Sequence, residues 1–169
     1  MMKKATSMIL AMLLAFILSG CGGTAESLQE PVPFFYPEKV QEDGSITNVI
    51  RAEQREGKAF GDDLELLLTV YLAGPKDPSL YSPFPAHTEL SKVTVSDGKV
   101  IIRFAESFGE LSSLDRTIAC ACISKTCMEF TGAELVEIFA ENTLFDGVES
   151  IVISRQNLLT MDNTPITEP

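Results

Sequence analysis

The pattern of apolar positions is most regular over residues 62–72 and predicts a helix there. Apolar side chains recur three and four positions apart, which places them on one helix face: Leu64, Leu67, Leu68, Tyr71 and Leu72. Asp62 and Asp63 precede this stripe, and acidic side chains at a helix start accept hydrogen bonds from its free N–H groups. Gly74-Pro75 is expected to end the helix, because glycine tolerates the left-handed conformation there and proline cannot extend it.

A second helix is predicted from about Leu114 to Phe130. Ser112 or Ser113 can cap its start, and Asp115 adds a favourable negative charge in the first turn. Gly132 is expected to end it. Its buried stripe is predicted to contain apolar and sulfur-bearing side chains: Ile118, Cys122, Ile123, and Met128 or Phe130.

Shorter runs rich in β-branched and aromatic residues predict strands over 32–36, 46–53, 90–95, 100–104, 135–140 and 148–154. The prolines around the first run mark it as an edge strand, because proline cannot donate to a ladder. The two central runs flank Asp97-Gly98, which favours a two-residue hairpin turn, and Asp146-Gly147 predicts a second turn. In the hairpin we expect four side chains to face the core: Val93, Val95, Ile101 and Phe104.

The order of these elements predicts the fold class. Strands and helices are interspersed, and the central strands form an antiparallel hairpin. Such an order favours an α+β two-layer sandwich. We expect a mixed, mainly antiparallel sheet with two main helices packed on one face, formed by residues 32–154, followed by a C-terminal tail over 155–169.

The first residues have the order of a bacterial lipoprotein signal. Lys3 and Lys4 form a short positive region, residues 8–18 are apolar, and Ser19-Gly20-Cys21 closes the segment. A positive end followed by an apolar stretch is typical of export signals, and small residues directly before a cysteine form the pattern called a lipobox. We therefore predict a signal peptide over residues 1–20, acylation of Cys21, and cleavage in front of it.

The alternatives for this segment are a plain signal peptide and a transmembrane anchor. The apolar run is shorter than the roughly 20 residues that span a bilayer easily, which disfavours the anchor. Residues 21–31 then form the lipidated cysteine and a glycine-containing flexible tether. Several acyl chains on one cysteine hold a protein stably on a membrane. We expect the domain to be exported and lipid-anchored to the outer face of the cytoplasmic membrane.

Composition favours an acidic protein with one domain. The chain has 169 residues, of which 13 are basic and 24 acidic, for a net charge of −11. The signal peptide contains only basic charges, so the remainder is more acidic still, and it is long enough for one core. No basic cluster is present, so nucleic acid is not expected as a partner. Acidity favours solubility and keeps the domain away from anionic lipid head groups.

A catalytic triad is not indicated by the sequence. The only histidine is His87, in a loop bordered by prolines, with Ser82 and Asp97 nearby along the chain. The chain has no G-x-S-x-G motif, which places a nucleophilic serine on a strand-to-helix turn, and no glycine-rich phosphate loop. We therefore expect no enzyme activity, no cofactor and no catalytic residues.

Three cysteines follow the lipobox, and they raise the question of a metal site. Cys120, Cys122 and Cys127 lie on the second predicted helix. Cys120 and Cys127 share a face, whereas Cys122 points about 200° away from Cys120 at about 100° per residue. Three thiolates on one helix then cannot converge on a tetrahedral ion, so we expect no metal and interpret them as small buried side chains. An intermolecular disulfide through Cys127 is a lesser alternative.

Carboxylates that are close in sequence offer another candidate chemistry. The pairs are Asp62-Asp63, Glu106/Glu110 and Glu134/Glu137. We interpret the first as a helix cap and the others as solvated faces. Glycosidase carboxylates must flank the scissile bond of a bound sugar, and the chain has no tryptophan that would mark an aromatic cleft.

Several ordered motifs resemble the GerMN domain family, which occurs in spore-germination protein M and in envelope lipoproteins of spore-forming bacteria. The resemblance covers about residues 60–141. It rests on the helix stop Leu72-Ala73-Gly74-Pro75, the loop 85–90, the hairpin 93–104, and the segment 126–138 with Thr126, Gly132, Val136 and Ile138. The chain departs from the family pattern at His87, where glycine is usual, and at Cys127 and Ala133, where leucine and valine are usual.

The resemblance implies a non-catalytic domain, associated in similar proteins with ring-like assembly in the sporulation envelope channel or with envelope lipoproteins of unknown role. We therefore expect an envelope lipoprotein, linked to sporulation or germination, whose domain binds a protein partner or forms a homo-oligomer. The alternatives are a module that binds cell-wall polymer or a small ligand, and a wall hydrolase.

Overall fold

The computed structural model describes residues 30–39 and 50–158, and within them it confirms the predicted α+β class. The strands are β1 (Val32–Pro37), β2 (Ile50–Arg55), β3 (Leu90–Ser96), β4 (Lys99–Phe104), β5 (Leu135–Ala140) and β6 (Ile151–Ser154). The helices are α1 (Leu64–Leu72) and α2 (Ser113–Thr131). Four predicted parts of the chain lie wholly or partly outside the described residues: the signal peptide (1–20), positions 21–29 of the lipidated cysteine and tether, positions 46–49 of the second strand, and positions 159–169 of the tail.

The described strands form two sheets instead of the one that was expected. β1 and β2 pair antiparallel. The larger sheet has the order β3-β4-β5-β6, in which β4 and β5 are parallel and the outer pairs are antiparallel. The parallel pair is possible because α2 makes the crossover connection that parallel strands require. The sequence pattern shows which runs form strands, but it does not show which runs pair.

One face of the larger sheet packs on both helices and forms much of the core. Val100, Ile102, Val136 and Ile138 on this face have no solvent exposure. The expectation that Ile101 faces the core was wrong, because the Asp97-Gly98 turn aligns Val95 with Val100 and Val93 with Ile102. Ile101 therefore lies on the opposite face of the sheet. Val95, at the end of the edge strand, is 53% exposed.

Both predicted Asp-Gly turns are present. Asp97 and Gly98 have φ values of +52° and +72°, the combination that a type I′ hairpin turn requires at its two central positions. Asp146 and Gly147 also have positive φ values, of +52° and +90°. This second turn joins Phe145 to Val148 directly, so β6 begins at Ile151 and not at Val148 as the apolar run predicted.

The helix stop at the end of α1 is held by charged side chains of β2. Asp63 caps the start of α1 by accepting a hydrogen bond from the Leu66 N–H at 2.9 Å, and Gly74 follows its end with φ of +93°. Arg55, which is buried, donates to the Gly74 carbonyl at 3.2 Å. Glu53 accepts hydrogen bonds from the N–H groups of both Lys76 and Asp77 at 2.8 Å.

The C-terminal half of α2 lies between the two sheets. Thr126 accepts a hydrogen bond from the Phe35 N–H at 3.0 Å, and Tyr71 donates to the Phe35 carbonyl at 2.8 Å. These side chains therefore satisfy backbone groups on the edge of β1 that does not pair with β2. Tyr36 stacks on Tyr71 with ring centroids 4.7 Å apart and donates to its carbonyl at 2.7 Å. This arrangement fixes α2 against the smaller sheet.

Candidate protein-interaction surface

A groove of about 840 Å³ runs between the N-terminal half of α2 and β6. We call it the α2–β6 groove. One wall is a stripe of α2 side chains at helical spacing, Leu114, Thr117, Ile118, Ala121 and Lys125. The other wall is formed by the side chains of Ile151 and Ile153, by the backbone of Val152 between them, and by Val148. Most of these side chains are apolar.

Two large hydrophobic side chains at the α2–β6 groove are open to solvent. Leu114 is 69% exposed and Val148 is 56% exposed. Val152 is 55% exposed, but it pairs with Glu137, so its side chain lies on the sheet face that points away from α2. Single exposed hydrophobic residues are common on protein surfaces, whereas several gathered around one concave site mark an interaction surface.

The Asp146-Gly147 turn holds Val148 at the mouth of the groove. The N–H of Phe145 donates to the Val148 carbonyl at 2.7 Å, and the Val148 N–H donates back at 3.0 Å. The Phe145 ring is 2% exposed and anchors the turn in the core. Arg116 covers this ring at 5.3 Å and lies 3.3 Å from the Asp146 carboxylate. The turn is therefore fixed both from the core and from α2.

The charges along the groove differ from those of the whole chain. Its charged lining residues are Arg116, Lys125 and Asp146, two cations and one anion, on a chain whose net charge is −11. Arg116 and Asp146 pair at one end. At the other end the Lys125 Nζ lies 4.5 Å from the Phe35 ring centroid. No carboxylate of the described residues lies within ion-pair distance of Lys125.

The three cysteines of α2 are buried and unpaired, as their interpretation as small core side chains predicts. Burial raises the pKa of the Cys120 thiol to about 12, and it raises the pKa of Cys122 and Cys127 well above the ordinary value. A thiol that remains protonated at neutral pH is a poor nucleophile. Within residues 30–39 and 50–158, no group of three or more His, Cys, Asp and Glu side chains is arranged to hold a metal ion.

The residues weighed for catalysis lie apart. His87 is exposed and lies 3.9 Å from the exposed Glu110, while Ser82 bonds within its own turn to Phe84. Asp97 forms the hairpin turn, where it accepts a hydrogen bond from Ser96. The structure therefore does not bring these three side chains together.

The paired carboxylates have structural roles in two of the three cases. Asp63 is the cap of α1, as predicted. Glu137 is not simply solvated, because it accepts hydrogen bonds from Lys99 and Ser150 on neighbouring segments. These bonds, the one from Lys99 first, hold the pKa of Glu137 below its ordinary value.

Sequence reasoning did not find the α2–β6 groove. Leu114 lies outside the predicted buried stripe of α2, and the run Ile151-Val152-Ile153 is typical of a strand buried on both faces. The signal in the sequence is the continuous apolar run 151–153. It indicates an exposed apolar edge only when β6 is known to be the last strand of the sheet.

Comparison with known proteins identifies the family. Residues 25–145 match the Germane family, described as sporulation and spore germination. The chain belongs to the Germane family. The resemblance to GerMN domains that the helix stop, the proline loop and the hairpin indicated is thereby confirmed. No curated protein sequence matches the chain.

Three solved structures are similar to this chain. The tandem GerMN domains of the sporulation protein GerM from Bacillus subtilis align with a TM-score of 0.53 and 22% identity, over 79% of this chain and 48% of the tandem. This Germane chain thus spans about half of that protein. A candidate lipoprotein from Clostridium perfringens aligns with a TM-score of 0.48 and 16% identity, over 79% and 93% of the two chains. The first GerMN domain of GerM alone aligns with a TM-score of 0.46 and 17% identity, over 74% of this chain and 98% of that domain.

Proposed function

We propose that this chain is a membrane-anchored envelope lipoprotein whose Germane domain binds a protein, either a different protein or a second copy of itself, at the α2–β6 groove. The observation that carries this proposal is that Leu114 and Val148, both more than half exposed, lie at one groove with apolar walls. The family description, sporulation and spore germination, supports a role in that process.

The cost of leaving this groove in water supports a partner. Apolar surface contributes about 25 cal/mol per Å² when it is removed from water. The centres of protein interfaces are depleted in charged residues, and large side chains there carry most of the binding energy. The α2–β6 groove has this character, with apolar walls and its charges at the two ends.

Photo-crosslinking in intact cells tests the binding proposal. Benzoylphenylalanine is placed at Leu114 in the full chain, with the same replacement at Leu66, an α1 leucine that is 42% exposed, as the matched control. We expect a covalent adduct of discrete mass from position 114 only, lost when Val148→Asp is added. The proposal is wrong if position 114 gives no adduct, or if both positions give the same one.

The lipid anchor is proposed from the order of charges, apolar residues and Cys21 in the first residues. A chain that is held by several acyl groups stays in the membrane fraction. Cells are fed an alkyne-labelled palmitate and the full chain is isolated. We expect label on the wild type and on Cys120→Ser, and none on Cys21→Ser. Label that survives Cys21→Ser would contradict the anchor.

A second candidate function is binding of a small apolar ligand. The groove volume of about 840 Å³ falls within the range of ligand pockets. Native mass spectrometry of the full chain in phosphatidylcholine nanodiscs separates the two functions. A ligand of discrete mass that is lost in Leu114→Glu favours ligand binding, whereas a protein adduct favours the first proposal.

A further inference from the structure

The exposed edge of β6 presents backbone groups toward the α2–β6 groove. The N–H of Arg155 donates to the Glu134 carbonyl at 3.1 Å, and the register then pairs Ile153 with Val136 and Val152 with Glu137. Hydrogen-bonded pairs alternate with non-bonded pairs along antiparallel strands. Ile153 therefore bonds to β5, whereas the N–H and carbonyl of Val152 point away from it.

Among the described residues, no strand lies on the outer side of β6. β6 ends the larger sheet in the described part of the chain, yet α2 extends past it, with Leu114, Thr117 and Ala121 lining the far wall. Neighbouring strands lie about 4.8 Å apart, and their side chains alternate between the two faces. A strand added next to β6 would bond to Val152 and direct every second side chain against α2.

We propose that an extended segment of a partner protein adds to β6 as a fifth strand, with alternating apolar side chains that contact α2. This inference rests on the proposed function and specifies how the partner binds. Main-chain hydrogen bonds to Val152 supply affinity, and the groove selects the alternate side chains. Lys125 lies at one end without a carboxylate partner among the described residues, so the segment carries an acidic residue at that end.

The same edge disfavours a lipid chain as the occupant. An acyl chain lying along β6 would remove the Val152 N–H and carbonyl from water without replacing their hydrogen bonds. Burial of a polar backbone group without a partner is costly. A peptide in the extended conformation satisfies both groups, which is why the observations favour a peptide.

Peptide selection against the intact protein tests this proposal. A random dodecapeptide display library is selected on the full lipidated chain in phosphatidylcholine nanodiscs, and the dissociation constants of the recovered peptides are measured. Val152→Pro removes the outward N–H while leaving the ladder to β5 intact, and proline is tolerated on edge strands. Val152→Thr keeps the backbone donor and is the matched control.

We expect recovered peptides with alternating apolar residues and an acidic end. Val152→Pro should weaken their binding about tenfold, while Val152→Thr should leave it within about twofold. Hydrogen exchange on the wild-type chain gives a readout that does not depend on the folding of the proline variant. The amide of Val152 should exchange rapidly in the free chain and become protected when the peptide is bound.

The remaining outcomes separate the two proposals. Peptides that lose affinity for Leu114→Glu but keep it for Val152→Pro, without protection of the Val152 amide, overturn strand addition and leave the groove as a binding site. Recovery of no peptide that depends on either residue also overturns strand addition. The crosslinking at Leu114 then decides independently whether the groove binds protein at all. A lipid of discrete mass that native mass spectrometry finds on the chain and that is lost in Leu114→Glu overturns strand addition in favour of lipid binding.

Discussion

The two halves of α2 have similar apolar side chains but very different surroundings. In the C-terminal half, Cys122, Ile123 and Cys127 have no solvent exposure, because β1 lies on one side and the larger sheet on the other. In the N-terminal half, Leu114 is 69% exposed beside the α2–β6 groove. The difference arises from what lies opposite each half, since the helix itself is continuous from Ser113 to Thr131.

This comparison shows how one helix can both stabilise the fold and present a surface. The buried half is fixed by Thr126 against β1 and by Arg155, which donates to the Met128 and Ala133 carbonyls. Because α-helices are stiff over this length, the exposed half is held at a constant distance from β6. A preorganised surface loses little conformational freedom when a partner binds.

The largest difference in the free energy of unfolding is expected between the variants Ile123→Ala and Leu114→Ala. Ile123 is completely buried, so its truncation leaves a cavity and should lower the free energy of unfolding by about 2–5 kcal/mol. Leu114→Ala should change it by less than about 0.5 kcal/mol and should weaken partner binding. Urea unfolding of the two variants measures the difference. Equal destabilisation would show that the Leu114 side chain is also part of the core.

Alkaline pH should reveal the burial of the Cys120 thiol. Its pKa is raised from 9.0 to about 12 in the folded chain. The contribution of the protonated thiol to the free energy of unfolding is therefore fully present below pH 9.0 and is lost as the pH rises toward 12. The unfolded chain releases this proton first. Each thiol so shifted contributes about 1.4 kcal/mol per pH unit to the slope between these values.

Cys120→Val removes this titration, and the free energy of unfolding should then fall less steeply above pH 9.0. The comparison uses the slope and not the absolute stability, because the valine also changes packing by an amount that does not depend on pH. Identical slopes in wild type and variant would mean that Cys120 is accessible to hydroxide from the groove. The raised pKa values of Tyr36 and Tyr71 affect both chains equally.

A smaller difference in stability is expected between two threonines of α2 that make the same local hydrogen bond. Thr117 and Thr126 each donate to the carbonyl four residues earlier, at 2.8 Å and 3.0 Å, but only Thr126 also accepts the buried Phe35 N–H. Thr126→Val should lower the free energy of unfolding by about 1–3 kcal/mol, because the Phe35 N–H loses its hydrogen-bond partner. Thr117→Val should have almost no effect on thermal unfolding. A small cost for Thr126→Val would show that water replaces the threonine at the edge of β1.

The sequence predicts local elements of this fold well, and the reasons are physical. The Asp97-Gly98 turn, the cap at Asp63 and the stop at Gly74 each depend on conformations that few residues adopt, so the residue types specify them. All three are present. The α1 stripe is equally clear because only one side of that helix packs on the core.

The parts that could not be predicted depend on contacts between distant segments. α2 is buried on both sides in its second half, so its apolar residues do not form one stripe, and the pattern conveys little about its orientation. The strand run 151–153 is fully apolar although β6 is an edge. The parallel pairing of β4 with β5 depends on the crossover by α2, which no local pattern encodes. The groove depends on all three features.

The smallest expected effect concerns the start of α2, where the sequence allowed either Ser112 or Ser113 as the cap. In the structure Ser112 accepts a hydrogen bond from the Asp115 N–H at 3.2 Å and donates to its carboxylate at 2.6 Å. Ser112→Ala should therefore lower stability by about 1 kcal/mol, and Ser113→Ala by only a few tenths. Because this turn carries Leu114, Ser112→Ala should also weaken partner binding slightly by fraying one wall of the groove. Thermal unfolding of the two alanine variants, followed by binding of the recovered peptides, measures both effects, and a larger loss in Ser113→Ala would reassign the cap.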